Sequence, residues 1–443
     1  MTLVMKFGGS SVADAACMRQ AAALVAEALP QAPLVVLSAM GKTTNALFEA
    51  ASCAERGELG AALDILQRLR AHHEATAQEL GAGLSDLAMA FQELELLLRG
   101  VALLRELSPR SLDAIASFGE RLSTRLFAAA TGHAWFDARA VMRTDARFGE
   151  AAPDAFAIET LAHAHLAPLL APGRAVITQG YIGATEDGLT TTLGRGGSDY
   201  TAALLGAALK TAEVQIWTDV EGVLTADPRI VPEALPISDL GFAEAAELAA
   251  FGAKVLHPAT IQPAVDADIP VTVRHTGRPH GRFTTISGEV ATGRPVTALA
   301  SRGPVTILTV SSTRMLAQSG FLARLFEVFG RHGASVDLVA TAEVSVSLTV
   351  EADAPLKALV KDLTAFAKVA TAEGRAIVAV VGERLKRTPG LSARIFTALQ
   401  DINVEMISMG ANEINLSLVV RREDADEALR RLHRALIEPG GGS

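Results

Sequence analysis

A mostly parallel α/β sheet sandwiched by helices, followed by two ferredoxin-like βαββαβ units, is the fold class predicted by three observations. Short apolar runs without polar alternation, such as residues 33–39 (PLVVLSA) and 175–182 (AVITQGYI), alternate with longer helical patterns, as in parallel strands joined by crossover helices. The first strand, Leu3–Phe7, runs into Gly8-Gly9-Ser10-Ser11 and then a helix over about residues 13–29, the layout of a phosphate loop in an α/β protein. The C-terminal third repeats itself. GFLARLF at 320 is echoed by GLSARIF at 390, and EVSVSLTV at 343 by EINLSLVV at 413, both at an offset of 70 residues.

The other elements follow in order. Residues 45–105 are rich in Ala, Leu and Glu with helical periodicity and predict several helices. His72 and His73 are adjacent within them, point to different faces, and read as surface histidines. Residues 111–130 predict one helix carrying Phe118-Gly119-Glu120-Arg121, where the glycine signals close packing. Residues 214–220 (VQIWTDV) predict a strand ending at Thr218-Asp219, residues 242–251 a helix, and residues 270–274 a last strand. Residues 276–304, rich in Gly, Pro, Arg and Thr, read as a linker. Helices are then expected over 320–332, 355–369, 390–400 and 424–437. Small units of this kind leave sheet edges exposed, so side-by-side or dimer pairing is expected.

Composition narrows the function. With 443 residues, 49% hydrophobic and 20% charged, the chain suits a soluble protein of about two to four domains. A net charge of −9 disfavours nucleic acid as a partner, because nothing basic offsets phosphate repulsion. Cys17 and Cys53 lack metal-ligand spacing and do not form a disulfide framework, which fits a reducing cytoplasm. The N-terminus shows no signal peptide, and no run of about 18 apolar residues predicts a membrane span. The terminal PGGGS reads as a disordered tail.

The most informative stretch is TTTLGRGGSDYTAALL, from Thr190 to Leu205. Gly194, Gly196 and Gly197 let the backbone bend and approach a ligand. Ser198 is suited to cap the following helix and Asp199 to its first turn. A helix start attracts anions, and Arg195 adds a fork that can grip a carboxylate or phosphate. Lys6, at a strand–loop junction, can reach over the glycine turn. Glu120 is either a solvated acid or a ligand for an amine. GKT at 41–43 is not a P-loop, since Val36 stands where that motif needs glycine, and a dinucleotide fingerprint fails because its last glycine would fall at Asp199.

Taken together, KFGGSSV at 6, TLGRGGSDY at 192 and WTDVEGVLTADPR at 217 resemble the signatures of aspartate kinase, in the amino-acid-kinase fold. FGE at 118 and FGAKVLHP at 251 match that family too. The similarity spans essentially the whole chain and is closest to the monofunctional, lysine-sensitive bacterial type, aspartokinase III. The twin repeats resemble ACT domains, which bind amino-acid effectors. The resemblance implies a kinase domain over 1–290 and ACT domains over 305–383 and 384–438, with strands that interleave.

It also implies roles. Lys6, Gly8 and Gly9 hold the ATP phosphates, Phe7 belongs with them to the ATP site, and Lys6 and Asp199 are catalytic. Thr218, Asp219, Leu224, Arg229, Lys254 and Val255 line the nucleotide site. Arg195, Gly196, Gly197 and Ser198 hold the substrate aspartate with Thr44, while Glu120 takes its ammonium. Mg²⁺ arrives with ATP, and no protein metal site is implied. An effector site for L-lysine falls on Met315, Gln318, Phe321, Leu322, Val336, Asp337, Ala342 and Glu343. Leu224 stands where many relatives carry Tyr, and Gln318 and Ala342 replace serines of the lysine pattern. An ACT-mediated homodimer is implied, with dimers of dimers when inhibitor is bound. Other readings are a glutamate or acetylglutamate kinase, a non-catalytic ACT sensor, or half of a kinase–dehydrogenase fusion. The repeats with GRGGSDY oppose the first, intact Lys6, Arg195 and Asp199 the second, and the missing dinucleotide fingerprint the third.

Overall fold

The computed structural model describes residues 2–252, 258–288, 295–316, 319–410 and 412–438. Lys254, Val255, Gln318 and the terminal PGGGS lie outside the described residues. The chain forms two compact units. The first comprises Met1–Val223, Ser238–Phe242 and Val255–Val290, and the second Leu224–Ile237, Ala243–Lys254 and Ala291–Ser443.

The first unit is built on an eight-stranded sheet. Its strands are β1 (Leu3–Phe7), β2 (Pro33–Leu37), β3 (Ala134–Phe136), β4 (Val176–Gln179), β7 (Val214–Thr218), β8 (Asp239–Gly241), β9 (Val271–His275) and β10 (Thr284–Ser287), in the order β3-β4-β2-β1-β7-β9-β10-β8. The six strands from β3 to β9 in that order run parallel. β1 and β2 are buried at every position, as continuous apolar runs require when helices cover both faces. A separate hairpin, β5 (Ile182–Ala184) with β6 (Thr190–Thr192), leads into the glycine loop.

The helices here are α1 (Ala15–Ala28), α2 (Thr43–Glu55), α3 (Leu59–Leu80), α4 (Ser85–Leu104), α5 (Pro109–Ala116), α6 (Phe118–Thr131), α7 (Ala155–Leu161), α8 (Gly197–Ala208) and α10 (Pro258–Asp266). α9 (Phe242–Ala250) begins at this unit's edge and continues in the second. One core joins β1 and β2 to α1–α4 and α6 through Phe7, Leu37, Leu47, Phe91, Phe118 and Phe127.

Several expectations need correction. The helix expected over 111–130 is two, because the chain breaks at Ser117, whose hydroxyl donates to the Ala114 carbonyl. The strand expected over 175–182 divides into β4 and β5 at Gly180-Tyr181. Tyr181 takes a left-handed φ of 69°, and a Cβ on Gly180 would lie 2.6 Å from that of Ser198. The sheet does not end with β9, since β10 adds antiparallel to it. The stretch 276–304 is therefore no plain linker: it holds β10 and the start of the next long strand. His73 is not on the surface. Its ring is wholly buried, bonds the Leu69 carbonyl at 2.8 Å and meets Phe91 edge-on, because α3 packs that face against α4.

The second unit holds a six-stranded antiparallel sheet. Its strands are β11 (Ala298–Ser311), β12 (Val339–Ala342), β13 (Ser345–Glu351), β14 (Lys368–Val381), β15 (Met406–Met409) and β16 (Asn415–Arg421), in the order β12-β13-β11-β14-β16-β15. β11 and β14 run 14 residues each and serve both repeats. Residues 305–311 of β11 pair with β13, and residues 375–381 of β14 pair with β16. α11 (Phe321–Arg331) and α12 (Leu356–Thr364) cover one core, while α13 (Leu391–Ala398) and α14 (Ala425–Leu436) cover the other. The sequence repeat is thus a structural one on one continuous sheet: β11-α11-β12-β13-α12-β14 reads βαββαβ, while the second copy runs β14-α13-β15-β16-α14 and takes residues 298–302 of β11 as its fourth strand.

Candidate active site

The parallel strands β1, β2, β4 and β7 all end on one edge of the first unit's sheet, where open α/β sheets bind ligands. Lys6 is the penultimate residue of β1, opposite Val36 and Ile216. Its Nζ lies 2.7 Å from Oδ1 of Asp199, with the two side chains only 10% and 16% exposed. An ammonium held there at the rim of a glycine turn is a fixed positive charge, and Asp199 orients it.

The turn is shaped for close approach. The Gly8 N–H donates to the Trp217 carbonyl at 3.1 Å, and a Cβ on Gly8 would sit 3.7 Å from Lys6 Nζ. A Cβ on Gly9 would meet the carbonyl oxygens of Ala39 at 2.8 Å and Gly41 at 3.0 Å. Gly9→Ala is therefore expected to cost about 1–3 kcal/mol of stability, since backbone must move, together with most activity. Thermal melts and ADP-release assays check both.

α8 carries the second wall. Its cap is Gly196, at φ 71°, and no side chain caps it, so Ser198 is not the N-cap expected from the sequence. The glycine supplies the left-handed turn, which starts the helix at Gly197 and leaves the Ser198 hydroxyl uncommitted to capping. Gly197 packs against Tyr181, where a Cβ would come within 2.8 Å of the ring. Arg195 is exposed, while Ser198 and Asp199 are half-buried.

Glu120, near the start of α6, is 3% exposed. Its Oε1 accepts from the Ala39 N–H at 3.1 Å, and its Oε2 is buried without a partner. Burial pushes its pKa up to about 8, against smaller opposing pulls from the Ala39 hydrogen bond and the Lys6 charge. A buried carboxylate with a free oxygen is a receptor for a cation. Gly119 is pressed against Ala39 and Thr44, with a Cβ position 2.8 Å from the first and 3.5 Å from the Thr44 hydroxyl. That explains a glycine inside this helix.

Thr218 and Asp219 close the end of β7, with the Thr218 hydroxyl donating to Asp219 at 3.1 Å. Phe7 is fully buried and stacks on Trp217 at 6.0 Å, so only its backbone is available to a ligand. Lys6, Gly8, Gly9, Thr44, Glu120, Arg195–Ser198, Asp199, Thr218 and Asp219 thus all belong to the first unit. Leu224 and Arg229 belong to the second, where Leu224 bridges to Pro236 and the Arg229 Nε donates to Asp227 at 2.9 Å. Sequence reasoning passed over Tyr181, which follows a glycine. Burial pushes its hydroxyl pKa up to about 12, with lesser contributions from Glu120 and Asp113.

Of the expected effector residues, Met315, Phe321 and Val336 pack on the α11–α12 core, with Phe321 meeting Phe366 edge-on at 5.9 Å. Leu322, Ala342 and Glu343 are exposed. Asp337 accepts from Arg302 at 2.9 Å, and its other oxygen is buried without a hydrogen-bond partner. Burial raises its pKa, and Arg302 pulls it back.

Residues 1–275 match the amino acid kinase family and residues 378–436 an ACT domain. Lysine-sensitive aspartokinase 3 of Escherichia coli (strain K12) is 42% identical over 98% of this chain and 99% of its own length. A crystal structure of E. coli aspartokinase III in complex with aspartate and ADP, in the R-state, superposes with a TM-score of 0.85 at 40% identity, covering 99% of this chain and 100% of that one. The same enzyme in complex with lysine and aspartate, in the T-state, gives 0.81 at 41% identity over the same shares. The chain belongs to the aspartokinase family, an amino acid kinase fold joined to ACT domains, and its activity is that of an aspartate kinase.

Proposed function

We propose that the first unit's sheet edge transfers the γ-phosphoryl group of ATP to the β-carboxylate of L-aspartate. The observation that carries this is the Lys6–Asp199 pair beside the Gly8-Gly9 turn, with the partner-free oxygen of Glu120 at the same strand ends. A β-carboxylate oxygen attacks the γ-phosphorus. The bond to the β,γ-bridging oxygen breaks, and ADP leaves with the electron pair, giving 4-phospho-L-aspartate. The carboxylate is already a nucleophile, so no general base is needed, and catalysis rests on positioning and charge neutralisation.

Lys6 neutralises charge on the transferred group, and Gly8 and Gly9 let the phosphates approach the backbone. Arg195 grips the substrate's α-carboxylate, Glu120 takes its ammonium, and Thr44 with Ser198 completes the cradle. Thr218 and Asp219 contact the nucleotide, and Leu224, Arg229, Lys254 and Val255 are proposed as further nucleotide residues on the family resemblance alone. Among the described residues no three His, Cys, Asp or Glu side chains group to hold a metal. Mg²⁺ is proposed as a companion of the ATP phosphates, held by phosphate oxygens and water.

Residues 1–290 are proposed as the catalytic domain, with 305–383 and 384–438 as interleaved ACT domains. L-lysine is the proposed inhibitor, by similarity to the lysine-sensitive E. coli enzyme and from the unpartnered oxygen of Asp337. A cytoplasmic homodimer is proposed, passing to dimers of dimers with inhibitor. No described helix is long and apolar enough to cross a membrane. The test is Mg·ATP-dependent ADP release with L-aspartate, with and without L-lysine, and with L-glutamate as control. Aspartate-dependent release suppressed by lysine is expected. Release indifferent to lysine removes the effector, and none with aspartate from folded protein removes the kinase reading.

A further inference from the structure

Asp113 lies outside every role assigned above, yet it is one of the most deeply committed carboxylates in the first unit. It sits on α5 and is 2% exposed. Its Oδ2 accepts from the Gly149 N–H at 2.9 Å and the Thr192 N–H at 2.8 Å, and its Oδ1 from the Thr192 hydroxyl at 2.8 Å. These partners are uncharged. Burial raises its pKa and the three hydrogen bonds pull it back. A buried carboxylate held only by neutral donors is a poor stabiliser of a fold compared with an apolar side chain.

Its placement gives it another use. Thr192 ends β6 and is three residues before Arg195, so Asp113 clamps the strand from which the glycine loop departs. Gly149 belongs to the segment that buttresses that loop. The Ala151 N–H donates to the Thr192 carbonyl at 2.9 Å, and a Cβ on Gly194 would lie 3.1 Å from Glu150 Cγ. On its other side, α5 runs into α6, which carries Glu120, and the Ser117 N–H at that junction donates to the Asp113 carbonyl at 3.0 Å.

We infer that Asp113 is a positioning residue that sets the spacing between Glu120 and Arg195, and so matches the enzyme to the ammonium and α-carboxylate of its amino-acid substrate. This rests on the proposed roles of those two residues. The carboxylate acts through geometry and not through its charge. Asparagine preserves the clamp: its Oδ1 accepts the two N–H groups, and its amide donates to the Thr192 hydroxyl, which reverses its own role.

The test is steady-state kinetics on Asp113→Ala, Asp113→Asn, Thr192→Val and Arg195→Ala. Asp113→Ala leaves three donors unpaired, and about a tenfold rise in KM for aspartate is expected, with KM for ATP within about twofold. Asp113→Asn stays near wild type. Thr192→Val removes one bond of three and gives a smaller rise in the same direction, which keeps the test decisive should Asp113→Ala fail to fold. An unchanged KM for aspartate in folded Asp113→Ala, or in Thr192→Val where the alanine variant does not fold, overturns the inference. So does an equal rise for both substrates. Arg195→Ala separates the two layers. If it raises KM for aspartate and the Asp113 and Thr192 variants do not, only the spacing role falls. If Arg195→Ala itself changes nothing, the substrate grip and the spacing role fall together.

Discussion

Lys6→Ala is expected to lower turnover by about 10²–10³, the loss seen when one preorganised transition-state donor is removed. The effect follows from placement. Lys6 is nearly buried and is held by Asp199 at 2.7 Å, so its charge needs no reorganisation as the phosphoryl group moves. Removing it leaves Asp199 without its cation at the point where negative charge passes. The loss should fall mainly on kcat, with smaller changes in KM. Lys6→Arg should not rescue, since a planar fork does not replace a point charge on a strand packed on both sides. Steady-state rates with a melting curve for each variant check this, and near-normal turnover in folded Lys6→Ala contradicts the role.

Glu120→Gln should raise KM for aspartate by about 10- to 100-fold, the value of a hydrogen bond between charged groups. The pH dependence carries more information. With a pKa of about 8 in the free protein, Glu120 is largely protonated at pH 7. Binding an ammonium favours the ionised form, so aspartate binding should release a proton. KM for aspartate in the wild type should fall as pH rises and level off above about 8. Glu120→Gln should abolish that slope. Stability moves the other way. A folded-state pKa above the unfolded value means that Glu120's contribution is fully present below the unfolded pKa and is lost as pH rises through the folded one. The glutamine variant should therefore melt higher than wild type at pH 8, with the difference vanishing toward pH 4. A KM profile unchanged by the substitution contradicts the ammonium role.

Much of this was legible in the sequence, for physical reasons that can be named. β1 and β2 are largely apolar runs buried on both faces, and such runs have few other fates. Gly9 and Gly196 announced themselves because only glycine fits where backbone meets backbone or φ turns positive. The 70-residue repeat foretold two similar units because each copy keeps its own helix-and-strand pattern.

What stayed hidden depends on distant partners. Nothing local says that residues 284–287 join the main sheet between β9 and β8, because that pairing is decided by those two strands. His73 looked like a surface residue beside His72 until α4 supplied Phe91. That β11 and β14 each serve two repeats is invisible in a repeat read linearly, and only the family resemblance pointed to interleaved strands. Asp113 carries no motif. Its meaning comes from Gly149 and Thr192, 36 and 79 residues away.

The most direct test of the central claim is to trap the product. Protein, L-aspartate and Mg·ATP are incubated with hydroxylamine, which converts an acyl phosphate to a hydroxamate and releases phosphate. Phosphoryl transfer to the side-chain carboxylate predicts β-aspartyl hydroxamate in step with ADP, and neither product from Lys6→Ala at comparable rate. ADP without hydroxamate, or hydroxamate on the α-carboxyl, would contradict it.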